Sequence, residues 1–191
     1  MSKMVLASGS PRRRELLEML GVKDLVILPA KGEEIAPEHA GPGEIVCALS
    51  SAKAHEVAAQ CGSDDIVLAA DTIVWFKGQK YGKPHSQAEA KAMLTALSGQ
   101  THEVYTGVCV LRGGTEIAEY ERTEVRFRML SAPEIDRYIA TGEPMDKAGA
   151  YGIQGVGSLL VEGIDGDFFN VMGLPLCRVG KILSGLGVGL L

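Results

Sequence analysis

The chain is short of the motifs that would classify it quickly, and each gap excludes something. Its four cysteines, Cys47, Cys61, Cys109 and Cys177, are far apart and form no CxxC pair. That excludes the usual structural zinc site and a disulfide framework, and it fits a reducing cytosol, with each thiol a small core or surface residue. No GxxxxGK[ST] stretch occurs, which removes the commonest ATPase and kinase readings, and no GxSxG occurs, so a Ser-His-Asp hydrolase has no support. The four histidines, His39, His55, His85 and His102, have no metal-ligand spacing and read as surface residues. No long apolar run is present. The tail VGKILSGLGVGLL is broken by Lys181, falls short of the ~20 residues a bilayer demands, and reads as the end of a packed helix plus a frayed terminus. Residues 1–9 hold only a brief apolar run, unlike a signal peptide, so a cytoplasmic location is expected. Repeats, low-complexity tracts and linkers are missing too.

What is present describes a globular chain. The 191 residues suffice for one domain, or one domain folded as two lobes, and 46% apolar with 23% charged residues is the balance of a packed protein. The formal net charge of −5 makes long nucleic acid a poor partner, because its phosphates demand many Lys and Arg contacts. Any anion site must therefore concentrate its basic groups locally.

Strands and helices interleave along the chain, which predicts the α/β class. Met4–Ala7 reads as a strand leading through Ser8-Gly9-Ser10 into a helix, with Ser10 as cap, Pro11 in the first turn and Leu16, Leu17 and Leu20 as its apolar stripe. A short strand near Leu25–Leu28 and a polar stretch precede a helix from about Gly43 to Gln60. Asp65–Asp71 reads as a buried strand that Asp71 closes. Ser86 with Glu89, and Ser131 with Glu134, have capping-box spacing ahead of two further helices, which stop near Gly99 and Gly142. HEVYTGVCVL and Val125–Met129 read as strands joined through the Gly113-Gly114 turn, and a last helix starts near Leu174.

Against this background a few residues are out of place. Arg12, Arg13 and Arg14 crowd a helix N-terminus that is already partly positive. For Arg14 the reading is a solvated face. For Arg12 and Arg13 a bound anion would remove the conflict, with backbone N–H groups and guanidinium forks converging on one phosphate beside a turn suited to close approach. Lys53 shares a helix face with Val46, Leu49 and Val57, so it either snorkels outward or reaches into a buried polar site. Asp71, followed by Thr72, is a turn former or a carboxylate placed where open α/β sheets bind ligands. Glu33 and Glu34 are ordinary surface charge, or the second half of a carboxylate site. The loops Gly82-Lys83-Pro84 and Asp146–Gly155 carry Lys83, Lys147 and Gln154, and an amide such as Gln154 could read the edge of a base. Carboxylates for a hard metal ion, with cations for phosphate charge, are the parts that hydrolysis of a magnesium-bound polyphosphate needs.

These residues fall in a series of longer segments. LASGSPRRRELLEMLG, the Glu33-Glu34 pair, SSAKAHEVA, AADTIV, GKP, LSGQTHEVYTGV, GEPMDKAGAYGIQG and NVMGLPL occur in this order along nearly the whole chain. Together they closely resemble the Maf family of nucleotide pyrophosphatases. ADTIV with DKAGAYGIQG resembles the branch acting on dTTP and UTP; the branch preferring 7-methyl-GTP usually differs at the residue after the Asp. The resemblance implies one domain over residues 1–191 with a mixed, strongly curved sheet, flanking helices and two lobes around a deep cleft, as in ITPase-like folds, usually in a homodimer. It implies hydrolysis of dTTP and UTP, and of modified pyrimidine nucleotides, to the monophosphate and pyrophosphate with Mg²⁺ or Mn²⁺. The rivals are a purine-directed house-cleaning pyrophosphatase for ITP or modified GTP, and a nucleotide-sensing division regulator without turnover.

By motif position the resemblance makes Asp71 the proton acceptor, with a metal-binding role as the alternative, and groups it with Lys53 and Glu34 as the catalytic set. Arg13, Thr72 and Gln154 would set base preference. Ser8, Arg12, Lys53 and Lys83 would contact phosphate, and Glu34 would hold the metal or assist water activation. The chain departs from the family at AKGEE, where many members carry a DxDE-like run; Glu34 is favoured, with Glu33 the alternative.

Overall fold

Short β-branched runs set between amphipathic helices produce a mixed sheet, seen in a computed structural model that describes residues 2–190. The elements run β1 (Met4–Leu6), α1 (Pro11–Met19), β2 (Val26–Ile27), α2 (Pro42–Ala58), β3 (Ile66–Phe76), β4 (Gln79–Tyr81), α3 (Gln87–Leu97), β5 (Thr101–Arg112), β6 (Thr115–Phe127), α4 (Ala132–Ala140), β7 (Val161–Asp165), α5 (Phe168–Met172) and α6 (Leu176–Gly185). Three 3-10 turns occupy Glu143–Asp146, Ala148–Ala150 and Gly155–Leu160. The seven-stranded sheet has the order β2-β1-β3-β5-β6-β7, with β4 paired to β3. β1 is parallel to both β2 and β3, whereas β4 and β7 join antiparallel. This is the α/β class, with a mixed sheet and flanking helices.

The chain divides into two units, and β3, β5 and β6 each contribute residues to both. The first comprises the chain up to Asp71, Thr106–Glu121 and the chain from Gly173; the second comprises Thr72–Tyr105 and Arg122–Met172. In the first, Val5, Ala7, Val67, Ala69 and Cys109 of the sheet pack with Ala54 and Val57 of α2. These small side chains let the helix lie close. A Cβ on Gly107 would stand 2.2 Å from the Val46 carbonyl oxygen and 2.7 Å from the Cys47 nitrogen, so only glycine fits beneath the helix backbone. In the second unit, α3 and α4 close over Val74, Phe76, Val104, Val125, Phe127 and Tyr151.

Most predicted boundaries lie within a few residues of the observed ones. Each capping-box pair makes one arm of the box: Ser86 Oγ accepts from Glu89 N at 3.1 Å while the Glu89 carboxylate takes His85 N in place of Ser86 N, and Ser131 N donates to Glu134 Oε2 at 2.8 Å. Three expectations need correction. Ser10 occupies the cap position of α1, but its side chain makes no capping bond. Asp71 does not close its strand, because β-branched and aromatic Thr72–Phe76 continue β3, with Val74–Phe76 paired to β4. The strand read at Val125–Met129 is the end of β6 and stops at Phe127. The frayed end expected of the tail reaches Leu191, which lies outside the described residues; α6 itself runs to Gly185. Among the described residues no helix is long and apolar enough to cross a membrane.

Candidate active site

The side-chain parity of β3 explains how an acid comes to lie under a helix. Val67 and Ala69 face α2, and strand alternation gives Asp71 the same face. One residue before Ala54 on α2 is Lys53, so its amine has a short path to that carboxylate. Lys53 Nζ lies 2.5 Å from Asp71 Oδ1 and 2.7 Å from Glu34 Oε1. Of the two ways to place a lysine on an apolar stripe, the inward one is realised. Asp71 is 6% exposed, while Glu34 approaches from an open loop and is half exposed. Glu34, not Glu33, carries this contact.

The first helix adds the positive side. Arg13 Nε donates to the Gly173 carbonyl at 2.7 Å, and its Nη1 donates to Ser8 Oγ at 3.0 Å. Ser8 is buried at the end of β1, and its hydroxyl also accepts from Ser10 N at 3.3 Å. Burial pushes the Arg13 guanidinium down to about 10; the charges of Asp71 and Glu34 resist the fall and that of Arg12 adds to it. Arg13 therefore remains a cation at neutral pH and feels both carboxylates. Arg14 differs. It is exposed and pairs with Glu18 one turn along α1 at 2.8 Å, as a solvated face should. The first unit thus gathers Ser8, Arg13, Glu34, Lys53 and Asp71, with Arg12 near enough to perturb Arg13. Three cations against two carboxylates leave it able to hold a polyanion.

Thr72, Lys83 and Gln154 belong to the second unit. Thr72 follows Asp71 on β3 and points to the opposite face of the strand. Lys83 is exposed between Gly82 and buried Pro84, and Gln154 is exposed at the start of the 3-10 turn Gly155–Leu160. Their loops are tied together, since Gly149 N donates to the Gly82 carbonyl at 3.0 Å. Gly149 is left-handed at φ +69°, and a Cβ there would meet Val74 at 2.8 Å, so glycine is required. Lys147 is spent on structure, its Nζ donating to the Glu143 carbonyl and to Asp146, each at 2.7 Å.

The thiols and imidazoles stand aside from this chemistry. All four cysteines are free, and burial pushes the Cys109 thiol up to about 12, far from the thiolate a nucleophile needs. His39, His55 and His85 are exposed as expected. His102 is not. It is 2% exposed, packed edge-on to Phe127 and Tyr151, with Nε2 2.7 Å from the Tyr151 hydroxyl. Burial pushes it down to about 4, so it is a neutral core residue. Its neighbours in sequence are polar, which hid this placement. Also missed was the Gly173 carbonyl that fixes Arg13; the NVMGLPL segment was visible, but nothing local says which backbone oxygen a distant arginine will find.

The model of the family described as Maf-like protein matches residues 3–186. The chain belongs to the Maf family. Two relatives match the Maf chain over nearly its whole length. The dTTP/UTP pyrophosphatase of Moorella thermoacetica (strain ATCC 39073 / JCM 9320) is 54% identical over 190 residues, which cover 98% of this chain and 97% of the relative. The dTTP/UTP pyrophosphatase of Bacillus cereus (strain ZK / E33L) is 50% identical over 188 residues, with the same coverage. A solved nucleoside-triphosphatase / dITP/XTP pyrophosphatase from Mycobacterium abscessus overlays 96% of this chain and 97% of its own with a TM-score of 0.45 and 16% identity. So weak a likeness leaves membership of the Maf family resting on the sequence matches.

Proposed function

We infer that this Maf protein is a nucleoside triphosphate pyrophosphatase that hydrolyses dTTP and UTP to the monophosphate and pyrophosphate. It is a hydrolase acting on a phosphoric anhydride. The substrates follow from relatives at 54% and 50% identity that are named for them and aligned end to end. The chemistry rests on one observation: Lys53 Nζ joins Asp71 and Glu34 within the electrostatic reach of Arg13.

The roles follow from charge and placement. Arg12, Arg13 and Lys53 stabilise negative charge on the triphosphate as water attacks the α-phosphorus. Asp71, buried and aimed at the same place, takes the proton of that water. Ser8 holds the Arg13 guanidinium and offers a hydroxyl to phosphate. By the motif positions of the family, Lys83 contacts phosphate, while Arg13, Thr72 and Gln154 select the base; an exposed amide on a glycine-rich loop supports that role for Gln154.

The donor set fits a divalent cation. Among the described residues no group of three or more His, Cys, Asp or Glu side chains could hold a metal, yet Mg²⁺ typically takes only one or two carboxylates and fills its shell with water and substrate phosphate. Two carboxylates, Glu34 and Asp71, already converge on a single cationic atom, the Lys53 amine. When bound, Mg²⁺ or Mn²⁺ supplies charge neutralisation for the triphosphate and the departing pyrophosphate. The protein acts in the cytoplasm, which its four free thiols support, as one Maf domain over residues 1–191 and as a homodimer, which light scattering at several concentrations tests.

A nucleotide panel with and without Mg²⁺ or Mn²⁺, scored for monophosphate and pyrophosphate, tests the function. The expected ranking places dTTP and UTP first, with no product in chelator. Faster turnover of ITP or dGTP would reject the pyrimidine preference, and tight nucleotide binding without any metal-dependent product would reject the enzyme. Gln154→Ala is expected to relax the ranking while chemistry continues.

A further inference from the structure

Gln154 is exposed on a loop, and a side chain that discriminates between bases has to be held still. The loop around it is pinned from below at both ends. Tyr138, on α4, accepts a hydrogen bond from Gly152 N at 3.1 Å and donates its hydroxyl proton to Glu143 Oε1 at 2.9 Å. The Glu143 carboxylate in turn accepts from Gly157 N at 3.0 Å through Oε1 and from Val156 N at 3.1 Å through Oε2. Two residues before Gln154 and two and three after it, the backbone is therefore fixed to one tyrosine–glutamate pair.

The glycines of this segment show how closely it is drawn down. A Cβ on Gly155, which is left-handed at φ +63°, would lie 2.8 Å from Glu143 Oε2. A Cβ on Gly157 would lie 2.2 Å from the Gly152 carbonyl oxygen and 2.5 Å from the Tyr138 hydroxyl. Glu143 is itself anchored, its own carbonyl accepting from Lys147 Nζ at 2.7 Å. Burial pushes the Tyr138 hydroxyl up, so it keeps its proton and stays a donor at all physiological pH.

We propose that Glu143 and Tyr138 are positioning residues for base selection: they clamp the Gly152–Gly157 loop so that Gln154 presents its amide in one orientation. The proposal rests on the reading of Gln154 as a base-selecting residue. A carboxylate accepting two backbone N–H groups suits this duty, because charge-assisted bonds are stronger than neutral ones and fix the direction of the backbone. A loop held this way has already lost the freedom it would otherwise lose on binding substrate. An adaptable loop would instead let the same amide turn to suit a purine.

The test compares Gln154→Ala, Glu143→Ala, Glu143→Gln and Tyr138→Phe. Each is assayed for kcat and KM on dTTP and dGTP, and exchange of the Val156 and Gly157 amides is followed by NMR. Glu143→Ala is expected to lower the dTTP-to-dGTP ratio of kcat/KM about tenfold, through a higher KM for dTTP with kcat little changed, and to speed exchange of both amides. Glu143→Gln, which keeps one acceptor oxygen, is expected to fall between wild type and Glu143→Ala, and Tyr138→Phe to show a smaller loss of the same kind. If Gln154→Ala alters the ranking but the Glu143 and Tyr138 variants slow both substrates equally or leave the ranking intact, the clamp is rejected and the role of Gln154 stands. If Gln154→Ala leaves the ranking unchanged, base selection by this loop is rejected and the clamp falls with it. Should Glu143→Ala fail to fold, Glu143→Gln and Tyr138→Phe decide by the same ratio.

Discussion

The two units are built from different side chains. Of the ten aromatic residues only Tyr120 belongs to the first unit, whereas all four cysteines do. The first unit packs Val, Ala and Cys between sheet and helix, with α2 resting its backbone on Gly107. The second packs rings, with His102, Phe127 and Tyr151 in mutual edge contact. Small side chains bring backbones close, and closeness is what lets Lys53 reach a buried aspartate from the packed face of its helix. Rings fill volume and leave polar tips, and it is such tips, the hydroxyls of Tyr138 and Tyr151, that the second unit bonds internally. One unit is organised to converge charge, the other to hold loops.

The contrast can be broken most severely at Gly107. Gly107→Ala forces a methyl against the backbone of Val46 and Cys47, which cannot yield as a side chain would. A stability loss of about 3 kcal/mol or more is expected, at the upper end for overpacking. Turnover should fall with it, because α2 carries Lys53. Chemical denaturation at a temperature where wild type is fully folded measures the first, and a pyrophosphate assay the second. Unchanged turnover would separate the helix spacing from the site.

Next in size is Asp71→Asn, which keeps the shape and removes the charge. Turnover of dTTP is expected to fall at least about a hundredfold, in the range for loss of a general base, while nucleotide binding measured by calorimetry persists. Near wild-type hydrolysis would sink the role given to Asp71.

The second unit offers a pH test. His102 sits at about 4 when folded against an ordinary 6.5, so the unfolded chain takes the proton first. Its contribution is therefore complete above pH 6.5 and is lost as pH falls towards 4. Between pH 6.5 and 5 this amounts to roughly 2 kcal/mol. His102→Gln, which can still bond the Tyr151 hydroxyl, should flatten that part of the stability curve, as read from urea midpoints at closely spaced pH values. A slope identical to wild type would assign it elsewhere.

The smallest effect is expected at Arg14→Ala. Its ion pair with Glu18 is exposed, and such pairs contribute little. Neither Tm nor turnover should change measurably, in contrast to alanine at Arg12 or Arg13, where dTTP turnover should drop; a clear loss at Arg14 would extend the phosphate site further along α1.

Much of this was legible beforehand because it is local. Capping boxes, the Gly113-Gly114 turn and the 3.6-residue stripe of α2 depend on neighbours a few positions away, and they predicted elements to within a few residues. The oddness of Lys53 on that stripe was also legible, but not its direction. Asp71 was misread as a strand end because a charged residue after an apolar run resembles a stop, whereas β3 continues through it in the sheet and pairs with β4 beyond it. His102 was misread because burial is decided by what packs over a strand, and nothing adjacent announces Tyr151.

The sequence by itself determined the α/β class, the family and the residue types that can neutralise a triphosphate, since these follow from periodicity and from motifs spread over the whole chain. Only the tertiary structure decided that Lys53 turns inward to join Asp71 and Glu34, that Arg13 is fixed by Ser8 and the Gly173 carbonyl, and that Glu143 holds the loop of Gln154. The reason is range. Propensity and patterning act over a few residues, whereas Lys53 is placed by carboxylates 18 and 19 positions away and Arg13 by a carbonyl 160 positions away, which no local rule can identify.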